Sequence, residues 1–170
     1  QDLLLEPGRE LPEEQVLALQ KLACRRKAGE PLAYLLGSRA FYGMRFAVSR
    51  AVLIPRQETE LLAERCIQII QRKNLKTALD LCTGSGCIAV CLAKHTAAAV
   101  SASDISPDAL AIARGNAEKL GANVHFFASD LLEKAQGPYD LIVSNPPYIS
   151  DAEYAAIDAG VREQEPALAL

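Results

Sequence analysis

The sequence contains no C-x-x-C pair, although five cysteines (24, 66, 82, 87 and 91) are present. Zinc ribbons and fingers draw on such paired ligands, so those classes are excluded and no metal is expected. Cys87 and Cys91 stand one turn apart on an expected helix, which suits core packing. No apolar run approaches the ~20 residues that cross a bilayer, so no membrane partner is expected. No basic excess exists either: the net charge is −3, whereas non-specific nucleic-acid binding relies on a positive field. An odd number of thiols without a leader of secretory type suits a reducing compartment, and a cytoplasmic protein is expected. Internal repeats and low-complexity tracts are missing. There is no initiator Met, and the closing EPALAL leads nowhere; a piece of a longer chain is the expectation.

With 170 residues, 50% of them hydrophobic, the chain can bury a real core and form about one domain and a fraction. The stretch from Pro31 to Gln57 carries Arg39, Arg45, Arg50 and Arg56 and no acid. It reads first as a solvated hairpin surface, and second as a docking patch for an acidic partner.

Residues 11–28 read as a helix. Pro12 sits at a first-turn position, Glu13 and Glu14 follow at the positive end of the helix, and Val16, Leu19, Leu22 and Ala23 form one apolar stripe. The segments 41–49 and 51–55 look extended, as a hairpin or a pair of short strands. A helix from Gln57 or Thr59 to about Arg72 places Leu61, Leu62, Cys66, Ile69 and Ile70 inward. From Lys76 onward strands and helices alternate: TALDLC, CIAVCLAKH, AAVSASD, SPDALAIARGNAEKLG, NVHFFAS and YDLIVSN. This alternation predicts an α/β fold, a parallel sheet in the order 3-2-1-4 with helices on both faces. Strand 4 would then be an exposed apolar edge, which natural sheets avoid, so further strands are expected beyond residue 170.

The turn after the first strand, DLCTGSGCIA (80–89), lies where open α/β sheets bind ligands. Gly84 and Gly86 let backbone approach a ligand, and Asp104, ending strand 2, can accept ribose hydroxyl protons. Gly84-x-Gly86-x-x-Ala89 matches the dinucleotide pattern. S-adenosylmethionine, which has a ribose but no phosphates, fits equally. Asp80 either faces the ligand's ammonium or caps the glycine loop. Asp130, just past strand 3, either reaches an adenine or forms a turn.

Strand 4 runs into SNPPYIS (144–150). Proline has no N–H, fixes φ near −65°, and pushes its predecessor into extended backbone. A loop containing Pro146 and Pro147 therefore has preset carbonyl directions and few donors, which suits gripping an NH₂ group. The Asn145 side-chain oxygen and the Pro146 carbonyl can each take one hydrogen of a planar amide or amine, while Tyr148 offers a stacking wall. A cap and turn ending a strand is the plainer alternative.

Asn-Pro-Pro-Tyr resembles the signature of methyltransferases acting on planar nitrogens. GEPLAYLLG (29–37), FYGMRFAV (41–48), VLIPRQETE (52–60), DLCTGSGCIAV, the SDIS–ALAIARGNA stretch and VREQEPALAL narrow the resemblance to the HemK-type protein-(glutamine-N5) methyltransferases. The resemblance covers nearly the whole chain. It implies a Rossmann-like S-adenosylmethionine-dependent sheet over 57–170, C-terminally incomplete. A partial helical domain over 1–37 and a β-hairpin linker over 38–56 precede it. The implied activity is methylation of the glutamine amide in the Gly-Gly-Gln motif of peptide chain release factors. The implied cofactor contacts come from Asp80, Cys82, Thr83, Gly84, Ser85 and Gly86 on the first turn. Asp104 and Ile105, Asp130 and Leu131, and Asn145 complete them. Asn145 and Pro146 are the implied catalytic pair, and Asn145, Pro146, Pro147 and Tyr148 the substrate contacts. The chain departs from the family at Cys82, usually glycine; at Gln57, usually proline; and at Leu131, often aromatic.

Nothing in the sequence resembles a strong base, since His95 and His125 fall on a helix end and within a strand. Orientation and electrostatics are therefore the expected means of catalysis. A monomer is expected, with a protein substrate and no nucleic-acid partner. The competing readings are an N6-adenine methyltransferase using the same clamp, a module that holds S-adenosylmethionine without catalysis, and an NAD-dependent oxidoreductase.

Overall fold

The computed structural model describes residues 10–149, 162 and 164–170. The expected domain ranges 1–37 and 57–170 therefore lie partly outside the described residues, as does part of VREQEPALAL.

Helix α1 (Glu13–Lys27) starts after Pro12 and carries acids in its first turn and Arg25, Arg26 and Lys27 in its last, both complementary to the helix dipole. Its expected apolar stripe is not buried in the described structure, and Val16 and Leu19 are exposed. A single short turn, α2 (Leu32–Leu35), leads into the hairpin β1 (Ser38–Phe41) and β2 (Met44–Ala47). The hairpin sits earlier in the chain than the expected 41–49 and 51–55. Its two-residue turn, Tyr42–Gly43, has positive φ at both positions (48° and 73°), the backbone that matches strand twist in tight hairpins. That turn pairs Phe41 with Met44 and Arg39 with Phe46. Phe41 and Phe46 pack edge to face at 5.9 Å in the core. Residues 51–55 then run as an unpaired connection.

Helix α3 (Gln57–Lys73) buries Ala63, Cys66, Ile67 and Ile70. Leu61 and Ile69, expected inward, are exposed. The buried face is centred on Ala63 and Ile67, a narrower stripe than leucine count alone suggests. The sheet comprises β3 (Thr77–Leu81), β4 (Ala99–Asp104), β5 (Val124–Ala128) and β6 (Leu141–Ser144) in the order β5-β4-β3-β6, all parallel. This is the expected 3-2-1-4.

The helices depart from expectation. Helices α4 (Cys87–His95) and α5 (Pro107–Leu120) share one hydrophobic core with α3, built on Ala78, Val100, Ala102 and Val143 of the sheet. Among the described residues all three therefore cover the same face. Right-handed crossovers explain this: β3 to β4 to β5 proceeds in one direction, which puts both connecting helices on one side. Only the return to β6 reverses direction, and residues 129–140 make that connection without a helix. Cys66, Cys87 and Cys91 are buried in the core, as core packing requires. Ile142 on edge strand β6 is half exposed.

Candidate functional site

The carboxyl ends of β3 and β6 lie side by side, with Leu81 level with Ser144. The turn leaving β3 is unusually left-handed: Cys82, Gly84 and Gly86 have φ of 57°, 55° and 79°. The two glycines serve different ends. A Cβ on Gly86 would stand 3.0 Å from the Cβ of Ala113, so this glycine admits close packing of α5. A Cβ on Gly84 would meet nothing within 4 Å, because Gly84 faces a cavity.

Two carboxylates hold this turn. Asp80 lies beneath it, 1% exposed, and its Oδ2 accepts from Thr83 Oγ1 at 2.6 Å and from the Ala89 amide at 3.1 Å. Its Oδ1 has no hydrogen-bond partner among the described residues. Burial pushes the Asp80 carboxyl up to about 7, against the pull of its Thr83 and Ala89 hydrogen bonds; the Asp104 charge adds to the rise. Asp104 Oδ2 accepts from the Gly84 amide at 2.9 Å, and Oδ1 from the Ser106 amide at 3.0 Å. The Thr83 amide donates to the Ser103 carbonyl and the Gly86 amide to that of Thr83.

These bonds decide what the cavity suits. A pyrophosphate needs free backbone N–H groups converging on it. Here the amides of Thr83, Gly84, Gly86 and Ala89 are already engaged, two of them by carboxylates. The local field is negative, and burial together with Asp104, Asp80 and Asp130 raises the Cys82 thiol. Such a site favours a cationic, phosphate-free nucleoside over a dinucleotide. The residues present fit S-adenosylmethionine on these grounds: Asp104 exposes carboxylate to the cavity, and the half-exposed Ile105 supplies an apolar surface for a base.

Of the expected cofactor residues, Cys82, Thr83, Gly84, Ser85, Asp104, Ile105 and Asn145 line this cavity of about 320 Å³, and Pro147 does too. Asp80 and Gly86 act from underneath the turn. Asp130 and Leu131 lie outside the lining, on an exposed turn where Ser129 Oγ donates to the Leu131 carbonyl. A second cavity of about 340 Å³ adjoins the first; Tyr148 lines it together with Glu58, Leu62 and Ile149. Asn145 lines both. Pro146 is exposed and lines neither.

Three features escaped the sequence reading. The unpaired connection 50–56 forms a wall of the first cavity. Asn116, buried on α5, donates from Nδ2 to the carbonyls of Ser85 and Ala47 and accepts the Ala47 amide, tying hairpin to turn. Its signal was an amide on the buried stripe Ala109–Ala113–Asn116. Glu165 is a buried carboxylate paired with Arg56 at 2.6 Å.

Comparisons with known proteins bear on the family and the fold. Residues 57–168 match the family model described as Methyltransferase small domain, and residues 1–37 that described as PrmC N-terminal domain. The chain is 52% identical to the release factor glutamine methyltransferase of Bordetella pertussis, covering 83% of this chain and 54% of that protein. It is 44% identical to that of Koribacter versatilis (99% and 61%) and 45% identical to that of Bacillus subtilis (93% and 58%). The chain thus spans about three-fifths of the length of these curated relatives. Among solved structures, the Pyrococcus abyssi tRNA (uracil-54, C5)-methyltransferase in complex with S-adenosyl-L-homocysteine aligns with a TM-score of 0.55 and 16% identity. The alignment covers 69% of this chain and 30% of that one. That likeness speaks for the Rossmann-like methyltransferase fold alone.

Proposed function

The chain belongs to the methyltransferase small domain family, and from that premise we propose that it methylates the side-chain amide N5 of the glutamine in the Gly-Gly-Gln motif of peptide chain release factors, with S-adenosylmethionine as cofactor. The observation that carries this reading is the place of Asn145, on the seam between the two cavities. One side chain there can face a cofactor and an acceptor at once.

When bound, S-adenosylmethionine supplies an electrophilic methyl on a sulfonium. The amide nitrogen of glutamine is a poor nucleophile, because its lone pair is delocalised into the carbonyl. That resonance also gives peptide bonds a rotation barrier of about 18–20 kcal/mol. The chain's own residues answer this by orientation. The Asn145 side-chain oxygen, on the seam, would accept one N–H, and the Pro146 carbonyl, next in the chain though outside both linings, would accept the other. Together they would orient the nitrogen and stabilise positive charge as it grows there. The cofactor would supply the methyl, with its sulfonium sulfur as the leaving group, and the nitrogen that gains the methyl would release one proton to solvent. Tyr148, 79% exposed, is free to cover the amide plane. Positioning of this kind is worth about 7–11 kcal/mol at best.

The same reading divides the chain into a helical substrate-facing part (1–37), a hairpin linker (38–56) and a catalytic part (57–170). It takes the protein to be a cytoplasmic monomer with a protein substrate. Among the described residues no helix is long and apolar enough to cross a membrane. An adenine acceptor is less favoured, since Arg50 and Arg56 of the basic stretch are engaged by Gln164 and Glu165. The test uses full-length protein, labelled S-adenosylmethionine and a release factor beside its Gly-Gly-Ala variant. Label on the first alone is expected; equal or absent label on both refutes the reading.

A further inference from the structure

We propose that residues Glu165–Leu170 form a brace joining the linker wall of the cofactor cavity to the Asn145 loop, with Glu165 as a positioning residue for methyl transfer; the proposal deepens the reading above and rests on it.

The linker wall, residues 50–56, has no ladder or helix to hold it. The side-chain bonds that hold its centre come from elsewhere. Tyr34 donates its hydroxyl to the Val52 carbonyl at 2.7 Å. Glu165 reaches in from the far end of the chain: Oε2 accepts the Ile54 amide at 3.2 Å, and Oε1 accepts Arg56 at 2.6 Å. The Glu165 side chain is 3% exposed, so its two oxygens serve these partners rather than water. Gln164 adds a bond from Arg50. Cavity walls follow the same segment, since Pro166, Leu168 and Ala169 line the first cavity.

The other end of the segment holds the Asn145 loop. The carbonyl of Leu170 accepts the amides of both Tyr148 (3.1 Å) and Ile149 (2.9 Å). Those are the first two donors after the prolines, which have none. A 3₁₀ turn (Ala167–Ala169) connects the two anchorages. The arrangement thus fixes the distance between the wall that would face the cofactor and the loop that would aim the amide. Neither Glu165 nor Leu170 lines the first cavity. A buried carboxylate with one cationic partner is also strongly dependent on that partner.

The test uses full-length protein and two readouts. Amide hydrogen exchange without ligand is compared for wild type and Glu165→Gln, which keeps an acceptor but loses the charge opposite Arg56. Exchange is expected to rise in 50–56 and also in 145–149. In parallel, the affinity for S-adenosylhomocysteine is expected to fall about 10-fold at a temperature where the variant is folded, the size of one charge-assisted hydrogen bond. Arg56→Lys, which retains the charge, should give the same pattern at smaller amplitude and serves if Glu165→Gln does not fold. Unchanged exchange in 145–149 overturns the brace. So does unchanged affinity and kcat/KM in a variant that has only lost thermal stability. If wild type labels no Gly-Gly-Gln substrate, the proposed acceptor fails, while the exchange experiment still decides the brace.

Discussion

The turn after β3 and the loop after β6 leave neighbouring strands at the carboxyl end of the sheet, and they differ in where their order comes from. In the first, Asp80 on β3 and Asp104 at the end of the adjacent strand β4 accept backbone amides of the turn or of the helix it opens. In the second, the prolines stiffen the chain but contribute no donors, and the hydrogen bonds that fix its exit come from Leu170, over twenty residues later. The first turn is organised from within the sheet, by its own strand and the adjacent β4; the second borrows its organisation from a segment outside the sheet. A site built from one of each can hold its cofactor firmly while its acceptor side answers to events elsewhere in the chain.

Three substitutions probe that contrast. The largest effect is expected on the borrowed side: Asn145→Ala should lower turnover by about 10²-fold or more, with a clearly smaller loss of S-adenosylhomocysteine affinity, as single-turnover rates and calorimetry can establish. Near-normal turnover in a folded variant removes Asn145 from the mechanism. On the side held by the sheet, Asp104→Asn leaves one acceptor for the amides of Gly84 and Ser106. Its cofactor affinity should fall by about 10-fold, while turnover at saturating cofactor stays close to wild type. A turnover defect that saturation does not relieve would mean that the turn also aims the acceptor.

The third test concerns stability rather than cofactor or turnover, and it turns on Asp80. Its folded-state carboxyl titrates near 7 rather than 3.8, so between those values the folded protein holds a proton that the unfolded chain has lost. Stability should decline as pH rises from about 4 to about 7. Asp80→Asn stays neutral, and denaturant midpoints measured across that range should show a flatter slope than wild type. An identical slope would mean that Asp80 is charged throughout.

Much of the frame was legible because it depends on local pattern. Short apolar runs separated by one helix each lead to a parallel sheet, and reversal of strand order locates the crevice. The Asn145 loop was readable too, because two prolines after a strand restrict backbone in a known way. What stayed hidden depends on partners remote in sequence. Nothing near Glu165 announces that Arg56 and the Ile54 amide await it. Asn116 looks like an ordinary helix residue until Ala47 is placed against it. The phase of α3 went astray because Leu61 and Ile69 are apolar yet point outward, and only the packed core selects Ala63 and Ile67 instead. The one-sided helix layer needed knowledge that residues 129–140 make their crossing without a helix.

Asn116 has a mechanical consequence. Its amide serves both backbone groups of Ala47 and, through the same nitrogen, the carbonyl of Ser85. The end of the hairpin and the cofactor turn are thereby riveted to one point on α5. A tug on the hairpin is carried to Ser85 as through a rigid linkage, with no slack at the junction. Tyr34 is already tied to Val52, so any hinge between α1 and the sheet would lie upstream of Tyr34, at a residue such as Gly29, whose φ of 94° occupies the region where glycine bends most freely.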